Sequence, residues 1–121
     1  MVKTKSLFDK SELSDGKRIV VSYKLPSKYY LSTHNAVWEV YLPPYQHMVY
    51  GYRAGQITWE KYTELYLLKM KLPRAAQAIK KLATLSLIQD ITLLCYEKED
   101  NPHCHRHLLK ALIDQVASEL S

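Results

Sequence analysis

Two cysteines and three of the five histidines lie between residues 95 and 107 of this chain. Cys95 ends a short apolar run, and Cys104-His105-Arg106 opens an amphipathic segment nine residues later. A thiol near a protonated imidazole, a guanidinium or a helix start ionises readily, with a pKa that falls from about 8.5 to roughly 3.5–7.5. The thiolate is the form that attacks electrophiles and binds metals. We therefore expect the chemistry of this protein to use Cys95, Cys104, His105 and Arg106.

Cys104 is the strongest candidate, because the pattern places it in the first turn of a helix from about Pro102 to Leu120, capped by Asn101 or Asp100. The helix dipole would favour an anion there, either the thiolate itself or a bound phosphate, sulfate or carboxylate clamped by Arg106. His105 would be a base or an orienting group, and Cys95 a resolving or supporting thiol. The alternative is a buried structural cysteine, with Arg106 paired to Glu97, Glu99 or Asp100.

A metal site is a weaker hypothesis. His103 and His107 are four residues apart on the wetter face of the predicted helix, but zinc usually takes four ligands. Cys95, Cys104, His103 and His105 would supply four, although the gap between the cysteines exceeds that of structural zinc motifs. We predict no metal. No glycine-rich phosphate loop is present, and the cofactor stays unknown.

Hydrophobic periodicity predicts an α/β fold. The pattern predicts strands over Val2–Leu7, Arg18–Tyr23, Val37–Leu42 and Ile91–Cys95, and helices over Pro44–Ala54, from Thr58 to residue 72, from Pro73 onward and over 102–120. We expect a small single domain over residues 1–121, with a mostly parallel sheet flanked by helices on both faces. Ligands of such sheets bind beyond the carboxyl ends of the strands, where Cys95 is expected.

Composition limits the partners. The net charge of +5 is spread along the chain, so we expect a small anionic ligand rather than nucleic acid. No apolar run approaches a membrane span, and two cysteines make no disulfide scaffold, which together predict a cytoplasmic protein with reduced thiols. Six tyrosines between Tyr29 and Tyr52 indicate either core packing, which their spacing favours, or a pocket lined by rings. Aromatic residues near turns would also suit a homodimer interface.

The chain resembles the family catalogued as domain of unknown function 488. The segment 91–97 followed by Cys104-His105-Arg106 resembles the closing motif of that family, and Ser14-Asp15-Gly16 with Arg18 and Pro26 resembles the opening of its YeaO-like branch. The resemblance covers nearly the whole chain and implies a compact cytoplasmic α/β domain without an established activity. The chain has Ser22 and Tyr23 where that branch has an acidic residue and an arginine, and it has Leu25 and Ser27 where that branch has tryptophan and arginine.

Three functions follow from these observations. The first is a cysteine-dependent or phosphate-ligand enzyme, which predicts a thiol that alkylates quickly below neutral pH. The second is a non-catalytic module that binds a nucleotide or phosphate, which predicts stabilisation by ligand without turnover. The third is a small metal-stabilised protein, in which a chelator would lower the melting temperature. The sequence favours the first two and does not separate them.

Overall fold

The computed structural model describes residues 1–97 and 101–121, and these build one four-stranded sheet with four α-helices. The strands are all parallel in the order β1-β4-β2-β3, which confirms the predicted α/β class. Their bounds are β1 Val2–Ser6, β2 Lys17–Val20, β3 Ala36–Trp38 and β4 Ile91–Cys95. The helices are α1 Gln46–Arg53, α2 Trp59–Met70, α3 Pro73–Ser86 and α4 His105–Leu120, with a short 3-10 helix at Leu13–Asp15.

Strand β4 lies in the middle of the sheet, between β1 and β2. All five of its residues are buried, as its unbroken apolar run predicts for a strand covered on both faces. It pairs with β1 from Val2↔Ile91 to Ser6↔Cys95, and its carboxyl end is continued by a hydrogen bond from Leu7 N to Cys95 O of 2.8 Å. Cys95 therefore stands at the carboxyl end of the central strand, where the sequence predicts it.

The two faces of the sheet are covered differently. On one face Ile19, Leu93 and Cys95 pack with the helices, within the same core as Tyr66 of α2 and Leu109 of α4. On the other face Leu7, Val20 and Leu94 pack against side chains of the segment 25–36 and against Tyr96. The prediction of helices on both faces is therefore wrong for the described residues. Pro26 and the positive φ values of Lys28 and Asn35 interrupt any helix in that segment, yet its apolar side chains still cover the sheet.

Helix α2 begins where the sequence predicts, whereas helix α4 begins later than predicted. The Thr58 hydroxyl accepts a hydrogen bond from Lys61 N at 3.1 Å, so Thr58 caps the helix that the pattern starts at this residue. Helix α4 instead begins at His105, and Cys104 is its N-cap in an extended conformation. The prediction that Cys104 lies inside the first turn is wrong, because Asn101 Oδ1 accepts from His103 N in a turn before the helix. The proposed cap Asp100 lies outside the described residues.

None of the helices within residues 1–97 and 101–121 has both the length and the apolar character that a bilayer crossing requires.

The aromatic side chains of Trp38, Tyr41, Tyr45 and Tyr50 are exposed. Their exposure is compatible with a homodimer interface, and the dimer stays a prediction.

Gly16 sets the approach of β2 to β4. Its φ is +65°, and a Cβ at this position would stand 2.0 Å from the carbonyl oxygen of Asp90. That oxygen accepts the Lys17 N hydrogen bond at 3.0 Å, which begins the β2–β4 pairing. Only a residue without a side chain allows this contact.

Replacing Gly16 with alanine should lower the free energy of unfolding by about 2–4 kcal/mol, because the strained φ and the collision with backbone act together. The melting temperature should fall by roughly 8–16 °C in a calorimetric scan. Gly55→Ala is the matched control, since Gly55 has a φ of +74° but nothing within 4 Å of its Cβ position. That variant should lose only about 1 kcal/mol. Equal melting temperatures for the two variants would show that the Asp90 contact does not limit stability.

Candidate functional site

Three of the four predicted site residues meet at one point. The sulfur atoms of Cys95 and Cys104 and a ring nitrogen of His105 lie within 4.8 Å of one another, and all three residues are buried. His105 Nδ1 is 3.7 Å from the Cys95 sulfur and 4.0 Å from the Cys104 sulfur. The end of β4 supplies the first thiol, and the start of α4 supplies the second thiol and the imidazole.

The hydrogen bonds of His105 define which of its nitrogens faces the thiols as an acceptor. Its Nε2 lies 2.6 Å from the carbonyl oxygen of Val21, just after β2. A carbonyl can only accept, so Nε2 carries hydrogen and donates. In the neutral ring Nδ1 is then the acceptor, and it lies near both sulfurs, although the Cys95 sulfur is almost equally close to Nε2, at 3.9 Å. His105 can therefore take a proton from either thiol.

The two thiols differ in how readily they ionise. The neighbouring Cys104 thiol, as a potential donor, lowers the pKa of Cys95 despite burial, with help from the backbone N–H groups of Glu97 and Tyr96 and from the charge of Arg106. The same interaction, together with burial, raises the pKa of Cys104 well above that of a free thiol. Two buried thiols in contact cannot both ionise, since the second charge would repel the first. Ionisation is therefore favoured at Cys95 over Cys104, which is the reverse of the lowered pKa predicted for Cys104.

These groups form the closed end of a cavity of about 140 Å³. Its walls carry aromatic rings and one ion pair, from Tyr23, Tyr52, Tyr62, Tyr96, Arg53 and Glu97. Burial, then the nearby charges of Cys104 and Cys95, raise the pKa of Tyr62, so its phenol keeps its proton. Tyr52 is the member of the six-tyrosine stretch that lines the cavity, while Ser22 and Tyr23 line it at positions where the chain departs from the YeaO-like pattern.

The segment before α4 is tied to the helices on the far side of the cavity. The Tyr52 hydroxyl lies 2.8 Å from His103 Nδ1, and the His103 ring stacks on Trp59 with centroids 4.7 Å apart. Arg53 pairs with Glu97 at 2.6 Å. His107 instead meets the Asn101 carbonyl at 3.0 Å, so His103 and His107 do not share a helix face as predicted. Trp59 and Tyr62 recur at helical spacing in the sequence, a pattern that by itself predicts only an apolar helix face.

Arg106 is the predicted site residue that the structure does not bring to the cavity. Its side chain is completely buried and is absent from the described residues that line the cavity. Nη1 donates to the carbonyl oxygen of Glu97 at 2.6 Å and to that of Lys5 at 3.3 Å. Arg106 thereby joins β1 to the turn after β4. Of its predicted carboxylate partners, Glu97 pairs with Arg53, and Glu99 and Asp100 lie outside the described residues.

Comparison with known proteins places the chain in a family. A family model described as the active DUF488-N3 subclade matches residues 2–117. The chain belongs to the DUF488 family. A search of the curated proteins and a search of the solved structures found no match. The resemblance of the closing motif to this family is thus confirmed at the level of the family, and its Cys-His pair is the part of the motif that reaches the cavity.

The same three residues of this DUF488 chain could hold a metal ion. Zinc bonds of about 2.3 Å to sulfur and about 2.0 Å to nitrogen imply sulfur–nitrogen separations of roughly 3.5 Å in a tetrahedral site. The observed separations are 3.7 and 4.0 Å. Donation from the second ring nitrogen to a backbone carbonyl is also typical of metal-bound histidine. His103 is not the fourth ligand predicted from sequence, since it stacks on Trp59 instead.

The pKa of Cys95 should depend on the hydrogen bond from Cys104. Cys104→Ala removes the donor, so the apparent pKa of Cys95 should rise, and its alkylation by iodoacetamide at neutral pH should slow by roughly tenfold. Cys104→Ser keeps a hydroxyl donor and should slow it less. Alkylation at Cys95 is followed by mass spectrometry across pH. A Cys95 titration that is the same in all three proteins would contradict this dependence on Cys104.

Proposed function

We propose that this chain is a cysteine-dependent enzyme that attacks a small molecule in the 140 Å³ cavity, working in a reducing, cytoplasmic setting. The observation that carries the proposal is the arrangement at the closed end of the cavity. There, two uncrosslinked thiols and the acceptor nitrogen of His105 lie within 4.8 Å of one another. Burial without such partners would keep a thiol neutral and inert. A lowered pKa at one thiol supports a nucleophile.

Each of the four sequence-predicted residues has a role in this proposal. Cys95 is the nucleophile, and Cys104 donates the hydrogen bond that keeps it ionised. His105 accepts or returns protons through Nδ1. Arg106 is a positioning residue: it holds the carbonyl of Glu97, and so the turn whose N–H groups face the Cys95 sulfur. The roles of the two cysteines are exchanged relative to the sequence-based hypothesis.

The distribution of cations argues against a non-catalytic phosphate-binding module. Such a module needs cationic donors that are directed at the ligand. Arg53 lines the cavity but is paired with Glu97, and the Arg106 guanidinium donates to backbone carbonyls. The thiol pair is the more distinctive chemical feature of the cavity. The description of the matching family model as that of an active subclade agrees with an enzymatic function.

A metal centre at the same residues is the second candidate function. It is favoured by one observation, the closeness of His105 Nδ1 to both sulfurs, at 3.7 and 4.0 Å, while Nε2 donates to Val21 O. Three protein ligands beside an open cavity are the usual composition of a catalytic zinc site. A bound metal would mask both thiols, so the two candidates differ in how the thiols respond to a chelator.

The test compares the alkylation rate of Cys95 in the folded chain with its rate in the chain unfolded by urea, with and without chelator. At neutral pH, iodoacetamide should modify Cys95 roughly tenfold faster in the folded protein and leave Cys104 unmodified. A bulky maleimide should lose this advantage because of the narrow cavity. His105→Ala should alter the pH profile, and His107→Ala is the matched control. No advantage of the folded state would contradict the enzyme proposal, and an advantage that appears only with chelator would favour the metal centre.

A further inference from the structure

We propose that the small electrophile is a hydroperoxide, and that Cys95 and Cys104 reduce it together by closing a disulfide in each turnover. This inference rests on the proposed function, because it uses the same nucleophile and cavity. It adds the substrate class and the reaction. The geometry that points to it is the juxtaposition of two thiols at the closed end of one cavity.

A second thiol is needed only by some of the reactions that a cysteine nucleophile can perform. Acyl or alkyl transfer uses one sulfur, and the other would be idle. Peroxide reduction uses both, since a sulfenic acid formed on the first sulfur is converted to a disulfide by the second. The Cys104 sulfur lies within 4.8 Å of the Cys95 sulfur, so a movement of roughly 3 Å would bring them to bonding distance.

The position of Cys104 permits that movement. As N-cap of α4 it has an extended backbone, with φ of −133° and ψ of 139°, and so it lies outside the helical turns. Its carbonyl accepts from His107 N at 3.1 Å, which anchors the helix start while the side chain changes rotamer. Cys95, by contrast, is fixed in the central strand. Cys104 is therefore the thiol that we expect to approach.

The surroundings of His105 argue against acyl transfer. Cysteine hydrolases orient their histidine with a side-chain carboxylate or amide. Here Nε2 donates to the backbone carbonyl of Val21, and no carboxylate of the described residues is hydrogen-bonded to the ring. The cavity volume of about 140 Å³ is large enough for a small hydroperoxide.

The reaction balances when Cys95 starts as a thiolate and Cys104 as a protonated thiol. The Cys95 thiolate attacks the terminal oxygen of the hydroperoxide: a sulfur–oxygen bond forms, the oxygen–oxygen bond breaks, and the leaving alkoxide takes the Cys104 proton. The products are a Cys95 sulfenic acid, an alcohol and a Cys104 thiolate. The Cys104 thiolate then attacks the Cys95 sulfur and expels hydroxide, which a solvent proton converts to water. The two thiols are oxidised and the peroxide is reduced. A small dithiol restores them by exchange.

The test exposes the reduced full-length chain to one equivalent of hydrogen peroxide or of tert-butyl hydroperoxide and identifies the products by mass spectrometry. The wild type should lose two hydrogen atoms and yield a peptide crosslinked between Cys95 and Cys104. Cys104→Ser should accumulate a Cys95 sulfenic acid that dimedone traps, and Cys95→Ser should stay reduced. With dithiothreitol supplied, the wild type should consume peroxide at least roughly tenfold faster than Cys104→Ser, because the resolving step is lost.

Two outcomes would overturn the inference. One is a wild-type chain whose thiols oxidise no faster than they do after unfolding in urea. The other is a wild-type Cys95 that proceeds to sulfinic acid without forming the crosslink. Iodoacetamide alkylation on the same samples separates this failure from that of the proposed function. If Cys95 is alkylated rapidly but does not react with peroxide, only the hydroperoxide inference is overturned. If Cys95 is alkylated slowly, the proposed function is overturned as well. Thiols that resist peroxide until a chelator is added would also overturn the hydroperoxide inference, because a bound metal would then be masking them.

Discussion

The pairing of β4 with strands on both of its sides is the constraint on which the site depends. Because β1 and β2 hydrogen-bond to it in parallel, the carboxyl ends of three strands lie at one edge of the sheet. That edge places the Cys95 thiol beside the Val21 carbonyl, and the carbonyl in turn fixes the ring of His105. The β2–β4 register is set where Gly16 admits the carbonyl of Asp90, so a position at the opposite end of the strands helps to align the site.

Burial gives the thiol pair its chemistry. In water two thiols would ionise independently, but at a closed cavity end the first negative charge makes the second much harder to form. The chain resolves this by making Cys104 the donor and Cys95 the acceptor, and the N–H groups of the turn after β4 add to the stabilisation of the thiolate. Arg106, although buried away from the cavity, holds that turn through the Glu97 carbonyl. Cys95 is therefore the more reactive thiol because Cys104 retains its proton.

The sequence predicted those structural features that depend on residues close together in the chain. The apolar run Ile91–Cys95 predicted the buried strand, and the pattern from Thr58 predicted the start of α2, because both depend on neighbouring residues. The convergence of Cys95 and His105 also followed from placing a strand end beside a helix start. The order in which the two thiols ionise did not, because it depends on how two thiols nine residues apart along the chain meet in space. The Arg53–Glu97 pair and the carbonyl partners of Arg106 likewise join distant segments, for which local periodicity holds no signal.

The central claim is that Cys95 ionises first and that Cys104 keeps its proton. The most direct measurement is the ultraviolet absorbance of thiolate in the reduced, metal-free chain as pH rises, with Cys95→Ala as the reference that subtracts other contributions. The account predicts one thiolate for each chain, formed below the usual thiol pKa, with no second thiolate until strongly alkaline pH. Two thiolates that form together near the pKa of free cysteine would contradict it.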